Sequence, residues 1–361
     1  MTDGRWQRAR QVVTIGGAFL ALLCGSGFST GQEALQFFAA EGLWGLGGTV
    51  IFLLLGGYVC VSLLLAGRAH GCHNMVDVFR HFAGPVLGKG FTWYASVMLF
   101  SIYALMLSGA GTVANEALGL PVMVGAGLMA VIVFATLYFG LHELVAIVGS
   151  LGPLLIVLIL AVAGASVIGE GEAIAAGARD VADLPVQHAA SSWWLAGLLY
   201  TTLSIMGLFV FMPAVGAEIT DVRVLVLGGL LGPFLFALTM ALVVLALLAG
   251  IDAVQNRPIP MLVLAQRQWP LLSNVYVAVM LAAIYTTAAP LLWAVLTRFA
   301  ADASRRYHAL AAILSLVGWF GSTLLPFDRF VNLVYPSIGY VGILLVICLV
   351  VKQVRTRSMA G

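Results

Sequence analysis

The stretch that decides the fold is ALLCGSGFSTGQE, residues 21–33, in the middle of the first apolar run. Its three glycines, Gly25, Gly27 and Gly31, stand among hydroxyl side chains and precede the carboxylate of Glu33. Each glycine costs a helix about 1 kcal/mol relative to alanine, so this run is a poor way to continue a helix. It predicts a membrane helix that is broken near the middle of the bilayer. The alternative is that these small residues let a neighbouring helix approach closely.

Around this stretch the chain has the composition of a membrane protein. Of its 361 residues, 62% are hydrophobic and 9% are charged, whereas soluble domains contain about 25% charged residues. The net charge of +2 and four scattered cysteines indicate neither a nucleic-acid surface nor a disulfide or zinc site. We therefore predict an all-α membrane fold that needs no organic cofactor. Ten stretches are long enough to span a bilayer: 11–39, 43–67, 89–115, 121–140, 143–168, 192–218, 223–250, 270–299, 307–325 and 329–351.

The distribution of lysine and arginine predicts the orientation of these spans. With the amino terminus inside, thirteen of these residues lie in cytoplasmic segments and four lie outside. This bias follows the positive-inside rule and requires an even number of spans. We expect a multi-pass protein of a bacterial inner membrane with both termini in the cytoplasm.

The longest polar stretch, from Glu170 to Ser192, divides the spans five and five. Residues 1–361 then form a single transporter domain, with a first repeat at 11–168 and a second at 192–351. An odd number of spans in each half forces the halves into opposite orientations, as in inverted-repeat transporters. In such folds the first helix of each half is broken, which directs attention to spans one and six.

Span six carries helix-weakening residues of its own. Pro213 removes a backbone donor, and Gly207 and Gly216 weaken the helix on either side of it. We predict a second broken helix here. The alternative is a proline kink with no role in binding.

Two connecting segments also have a predicted structure. Apolar residues between Met75 and Val86 recur at helical spacing and predict a short interfacial helix on the cytoplasmic side. The segment from Pro258 to Gln268 is too short to span and begins with prolines that suit a helix start. We expect it to cover an outer vestibule.

The opening motif resembles known transporter families. GSGF at 25–28 looks like the first-helix break of the amino acid-polyamine-organocation superfamily, and GLF at 207–209 with AE at 217–218 is similar to its sixth-helix pattern. Residues 25–33 with QFF at 36–38 resemble the YkvI family of small bacterial membrane proteins, relatives with the leucine-transporter fold. The resemblance implies a secondary active transporter of a small amino-acid-like solute, working by alternating access. It does not name the solute.

The two breaks and their surroundings supply the candidate solute site. We expect backbone amides around Ser26 and Gly27 to face Ser204 and Gly207 and to bind a solute carboxylate. Tyr103 in span three is the kind of hydroxyl that fold relatives aim at a bound solute. The full candidate set is Gly25, Ser26, Gly27, Phe28, Tyr103, Ser204, Gly207 and Phe209.

Span eight suggests a sodium site by the same resemblance. In sodium-coupled members of the fold, this span supplies a carbonyl and, three and four residues later, two hydroxyls; Ala283, Thr286 and Thr287 match that spacing. Ala21 and Cys24 would supply carbonyls from span one. Such a set without formal charge suits Na⁺ better than Mg²⁺ or Ca²⁺. The alternatives are that the hydroxyls bond to their own helix, that Glu33 carries a coupling proton, or that transport is uncoupled.

Charged residues within spans are functional candidates by default. Glu33 lies beyond the first break toward the outer side, and Arg329 opens span ten on the same side, so we predict a gate between them. The sequence at 27–31 also matches the lipase pattern Gly-x-Ser-x-Gly, but that motif requires a preceding strand, and a membrane helix precedes it here. We therefore do not predict an enzyme. A channel and a transporter-derived sensor remain the alternatives of another class, and the oligomeric state is not predicted.

Overall fold

The fold is all-helical throughout the residues described by the computed structural model, which are 2–23, 26–71, 75–139, 151–271 and 273–360. This confirms the predicted all-α class for those ranges. The helices are α1 (Thr2–Leu23), α2 (Ser26–Thr30), α3 (Gln32–Phe37), α4 (Gly45–Ile51), α5 (Gly57–His70), α6 (Met75–Leu118), α7 (Val122–Phe139), α8 (Leu151–Val167), α9 (Gly171–Asp180), α10 (Trp193–Ala217), α11 (Val222–Ala249), α12 (Ile251–Val254), α13 (Pro260–Gln268), α14 (Ser273–Phe299), α15 (Arg305–Ser322) and α16 (Phe327–Ala360).

Seven helices in the described ranges are long and apolar enough to cross a membrane. An eighth span is obtained if the pair Leu154–Val167 and Gly171–Asp183, bent by 94°, is counted as one. The chain is thus a multi-pass membrane protein. The ten-span topology, its inverted repeat and the position of the termini stay predictions.

The structure describes α1 up to Leu23 and α2 from Ser26. Cys24 and Gly25, two of the predicted site residues and part of the predicted break, lie outside the described residues. An interruption within the same glycine run lies at Gly31, whose φ of 83° is left-handed and separates α2 from α3. Only glycine adopts this conformation without strain, which explains why the run ends here.

The predicted break in span six is wrong. α10 is one helix from Trp193 to Ala217, with Pro213 inside it. Its neighbour α5 accommodates the proline turn closely, because a Cβ on Gly67 would overlap the Pro213 carbonyl. In a membrane, a helix keeps its own backbone hydrogen bonds unless other groups replace them. A proline inside such a helix can therefore bend it without ending it, here at a point where a glycine of the neighbouring helix allows close packing.

The two connecting segments form the predicted helices. The helix beginning at Met75 bends at Gly84, which has φ 77° and precedes Pro85, so a short amphipathic section stands before the long spanning section of α6. On the other side of the molecule, α13 follows Ile259 with Pro260 at its start. A Cβ on Gly31 would lie 2.7 Å from the Met261 side chain, so α13 packs directly over the α2–α3 junction.

Candidate functional site

A cavity of about 90 Å³ lies between the broken first helix and α6, α10, α14 and α16. Its polar groups come from Glu33, Tyr200, Ser204, Thr287 and Tyr335. The remaining lining is apolar apart from the backbone of Gly207: Leu22, Leu23, Met98, Leu99, Ile102, Met106, Leu203, Phe211 and Leu291. A few polar groups converging in an apolar pocket are typical of a small-molecule site. We call it the central cavity.

Glu33 is the one charged residue among the described residues that line the central cavity. It is 5% exposed, and its Oε2 accepts a hydrogen bond of 2.6 Å from the Tyr200 hydroxyl. Tyr335 and the backbone amide of Phe28 also hydrogen bond to its carboxylate. The carboxylate is therefore fixed by groups from α2, α10 and α16.

Tyr200 is itself held rigidly by aromatic packing. Its ring lies 5.3 Å from that of Phe37, 5.1 Å from that of Phe38 and 5.9 Å from that of Phe52, measured between centroids. Such edge and tilted contacts each contribute about 0.5–1.5 kcal/mol beyond area burial. The hydroxyl that donates to Glu33 consequently has little freedom to move.

The role predicted for the amides around Ser26 and Gly27, which is to bind a solute carboxylate, stays a prediction. The next amide along α2, that of Phe28, hydrogen bonds to the carboxylate of Glu33. Gly27 makes this possible, because a Cβ there would overlap Glu33 Oε1. The first turn of α2 therefore lies directly against the Glu33 side chain.

Two of the predicted solute residues, Ser204 and Gly207, line the central cavity. The Ser204 hydroxyl donates to the Tyr200 carbonyl at 3.0 Å, and no described atom lies within 4 Å of a Cβ built on Gly207. The backbone of Ser26 and Gly27 begins α2, next to Glu33. Ser204 and Gly207 thus lie at the central cavity, and Gly27 lies beside Glu33.

Three other predicted residues point elsewhere. Phe28 packs on Phe236 at 4.8 Å, and Phe209 stacks on Phe79 of the short helix before Gly84 at 5.8 Å. Tyr103 is turned toward α15, where a Cβ on Gly318 would lie 2.5 Å from its ring. Large aromatic rings are stabilised most by complete burial against other helices, and these three are at most 1% exposed.

The predicted sodium ligands of span eight are close together but bonded to one another. The hydroxyls of Thr286 and Thr287 donate to the Ala283 carbonyl at 2.8 and 3.1 Å. This is the back-bonding that the alternative interpretation expects. Each hydroxyl oxygen keeps acceptor capacity in that arrangement, and Thr287 also lines the central cavity. Ala21 belongs to the last turn of α1, so its carbonyl lies at the end of a helix.

The predicted Glu33–Arg329 gate is not formed in this conformation. Arg329 is exposed, and no ion pair joins it to Glu33 in the part of the chain that the structure describes. A guanidinium that reached Glu33 would have to leave water, which is costly. The polar contacts at this end of α16 come instead from its neighbour Asp328, whose backbone carbonyl accepts from the Gln36 amide at 2.9 Å.

A larger cavity of about 660 Å³, which we call the vestibule, lies on the predicted outer side of the central cavity. Gln32 lines the vestibule, and the next residue, Glu33, lines the central cavity. The two cavities share no lining residue among those that the structure describes. One helix, α3, therefore contributes lining residues to both cavities.

Sequence reasoning missed Tyr200 and Tyr335, the two hydroxyl partners of Glu33. Each stands near the predicted outer end of its apolar run, at a depth comparable to that of Glu33 in span one. Matching an intramembrane carboxylate with tyrosines at the same depth would have found them. The methionine and leucine lining carries no such signal, because apolar residues of this kind occupy most positions of every span.

Two curated relatives cover nearly the whole chain. An uncharacterized membrane protein of Bacillus subtilis, YkvI, is 20% identical over 347 residues, 94% of this chain and 96% of its own length. An uncharacterized protein of the same organism, YyaD, is 24% identical over 345 residues, with the same coverage. No protein-family model matches the chain.

Among solved structures, the chain is similar to the crystal structure of a mutant manganese transporter of Eremococcus coleocola. The TM-score is 0.53 at 16% identity, covering 94% of this chain and 85% of that chain. The two proteins share a fold. The proteins that this chain resembles are thus membrane proteins and a transporter, in agreement with the prediction that it is not an enzyme.

Proposed function

We propose that this protein is a secondary active transporter that carries a small amino-acid-like solute across a bacterial inner membrane by alternating access. The shared fold with a transporter supports this class of function. The position of α3, which contributes to the lining of both the vestibule and the central cavity, supports alternating access, because a movement of this helix would act on both cavities. A channel would instead need a continuous polar path, and most of the central lining is apolar.

The observation that carries the proposal is the environment of Glu33. Its carboxylate is buried in the central cavity, and none of the described residues lining that cavity is basic. A buried carboxylate without a counter-charge is costly in a membrane protein, and such residues mark substrate or ion pathways. We assign the counter-charge to the ammonium group of the solute.

Manganese is not the cargo that we propose. Within the described ranges there is no group of three or more histidine, cysteine or acidic side chains placed to hold a metal ion. Hard divalent cations are generally bound by several oxygen ligands that include carboxylates. One glutamate in an apolar cavity suits a monovalent ammonium better.

The test is a thermal-shift screen of the purified protein against amino acids and simple amines. A solute at about 100 times its Kd should stabilise the protein by about 2.7 kcal/mol. We expect amino compounds to raise the Tm of the wild type and to have no effect on Glu33→Gln. Equal shifts in both proteins, or shifts produced by compounds without an amino group, would contradict the proposal.

For the coupling ion we propose Na⁺, held by carbonyls of Ala21, Cys24 and Ala283 and by the hydroxyls of Thr286 and Thr287. The convergence of the three span-eight oxygens supports it. The competing proposal is a proton carried by Glu33.

A sodium titration of solute affinity against a choline control separates these proposals. If Na⁺ and solute favour one state, each tightens the other by the same factor, commonly about 5 to 150-fold. Thr286→Val and Thr287→Val should abolish this effect. Thr297→Val is the matched control and should retain it, because Thr297 makes the same kind of bond to its own helix but lies near the end of α14, away from the proposed ligands. Affinity indifferent to Na⁺, steeply dependent on pH and lost in Glu33→Gln would favour the proton.

A further inference from the structure

A basic and aromatic cluster lies where α6 meets the end of α14, on the predicted cytoplasmic side. Arg298 stands in the last turn of α14, and its Cζ lies 4.6 Å from the ring centroid of Trp93 on α6. Its Nη1 donates to the Thr92 carbonyl at 2.7 Å. The ring of Phe299 lies 5.7 Å from that of Trp93, measured between centroids. The stacking and the hydrogen bond together fix the position of the guanidinium.

The guanidinium of Arg298 can still bind an anion. It has five N–H donors, of which one bonds to the Thr92 carbonyl. No carboxylate in the part of the chain that the structure describes forms an ion pair with it. The acidic residue that follows on the chain, Asp302, accepts a hydrogen bond from the Ala303 amide. A planar guanidinium binds the oxygens of a phosphate through two parallel N–H bonds, so phosphate is the anion that suits it.

A second cation and an apolar surface adjoin this guanidinium. Lys89 is exposed and lies one helical turn before Trp93, so the two side chains share a face of α6. Trp93 is 51% exposed, and Val97, one turn further along the same face, is 62% exposed. The surface thus changes from basic to aromatic to aliphatic along α6. A phospholipid has the matching order of anionic headgroup, interface and acyl chain.

We infer that this surface of α6 and α14 binds an anionic phospholipid of the cytoplasmic leaflet, with its phosphate on Arg298 and Lys89 and an acyl chain along Trp93 and Val97. Basic pockets between spanning helices on the cytoplasmic side generally bind anionic lipid headgroups. A free phosphate would use the two cations and leave the apolar face uncovered. The inference does not depend on the identity of the solute.

The position of the lipid site relates it to the central cavity. α6 contributes Leu99 to the lining of that cavity, and α14 contributes Leu291, two turns before Arg298. A lipid bound to both helices would connect the ends of two elements that line the cavity.

The experiment measures lipid binding to the delipidated full-length protein in a neutral detergent by native mass spectrometry. The wild type should bind phosphatidylglycerol more tightly than phosphatidylcholine, because choline offsets the charge of the phosphate. Arg298→Gln should weaken the binding of phosphatidylglycerol about tenfold, the loss expected for one hydrogen bond to a charged group. Lys89→Gln should weaken it about fivefold, the effect of one basic residue near an anionic lipid surface.

Two controls separate this site from non-specific attraction. Arg355→Gln makes the same change of charge at an exposed position of α16 and should bind like the wild type. Glycerol phosphate, which carries the anion without acyl chains, should not displace the lipid at equal concentration. Lys89 is exposed, so its variant should fold even if Arg298→Gln does not. Unchanged binding in Lys89→Gln or in folded Arg298→Gln, an equal loss in Arg355→Gln, equal affinity for the two lipids, or displacement by glycerol phosphate would overturn the site.

Discussion

The sequences of the first helix and α10 both contain residues that weaken a helix, but only the first helix is interrupted in the described residues. Both contain glycines near their middle, yet the first helix is interrupted at Gly31 while α10 continues through Gly207 and Pro213. The difference lies in what replaces the lost helical bonds. In the first helix, Tyr276 of α14 donates to the Ser29 carbonyl at 2.7 Å.

In α10 the hydroxyls support the helix itself. Thr201 and Ser204 donate to the carbonyls four residues earlier, and Gly207 has open space around it. A helix therefore breaks in the membrane where other elements supply its missing partners. The presence of glycine or proline does not by itself determine whether a membrane helix breaks.

The largest effect on binding should come from Gly27→Ala. The new Cβ would overlap the carboxylate of Glu33 and force it away from Tyr200 and the Phe28 amide. We expect solute affinity to fall at least about tenfold, the loss that one hydrogen bond to a charged group represents. Gly17→Ala, on α1 with no described atom within 4 Å of the added carbon, is the matched control and should bind normally. Equal affinities in the two variants would contradict the tight fit at Gly27.

The next effect compares the stability of the two helices directly. Gly31→Ala places an alanine at φ 83° and 2.7 Å from Met261, which should lower the free energy of unfolding by about 1–3 kcal/mol. Gly207→Ala should raise it by up to about 1 kcal/mol, since alanine favours a continuous helix.

Scanning fluorimetry of both proteins in detergent checks the signs of the two changes in Tm. A Gly207→Ala protein that is less stable than the wild type would indicate that α10 does unwind there.

Part of the fold and of the candidate site could be predicted from the sequence, and part could not. The glycine run predicts the interruption of the first helix, since the local cost of continuing it falls on residues 25–31 alone. At Pro213, α10 packs closely against Gly67 of another helix, and no local pattern reveals this contact. The partners of Glu33 are likewise far away along the chain, at Tyr200 and Tyr335, and the orientation of Tyr103, Phe28 and Phe209 follows from tertiary packing.

The smallest expected effect on stability comes from removing the hydrogen bond between the Tyr276 hydroxyl and the Ser29 carbonyl of the interrupted helix. Tyr276→Phe removes this donor from the Ser29 carbonyl and should destabilise the protein by about 0.5–1.5 kcal/mol, the net contribution of one hydrogen bond. Tyr285→Phe should cost less, because Thr136, its hydroxyl partner at 2.7 Å, also donates to the Ile132 carbonyl. The Tm values of the two variants give the comparison. Equal losses would show that the bond to the broken helix has no special importance.

The central claim is that Glu33 anchors a transported ammonium group in the cavity beside the broken helix. Its most direct test is counterflow in proteoliposomes with the solute identified by the thermal-shift screen. Wild type and Glu172→Gln, which changes an exposed carboxylate on α9, should accumulate labelled solute transiently against an unlabelled internal pool. Glu33→Gln should show no accumulation above empty liposomes. Counterflow in Glu33→Gln equal to that of the wild type would contradict the account.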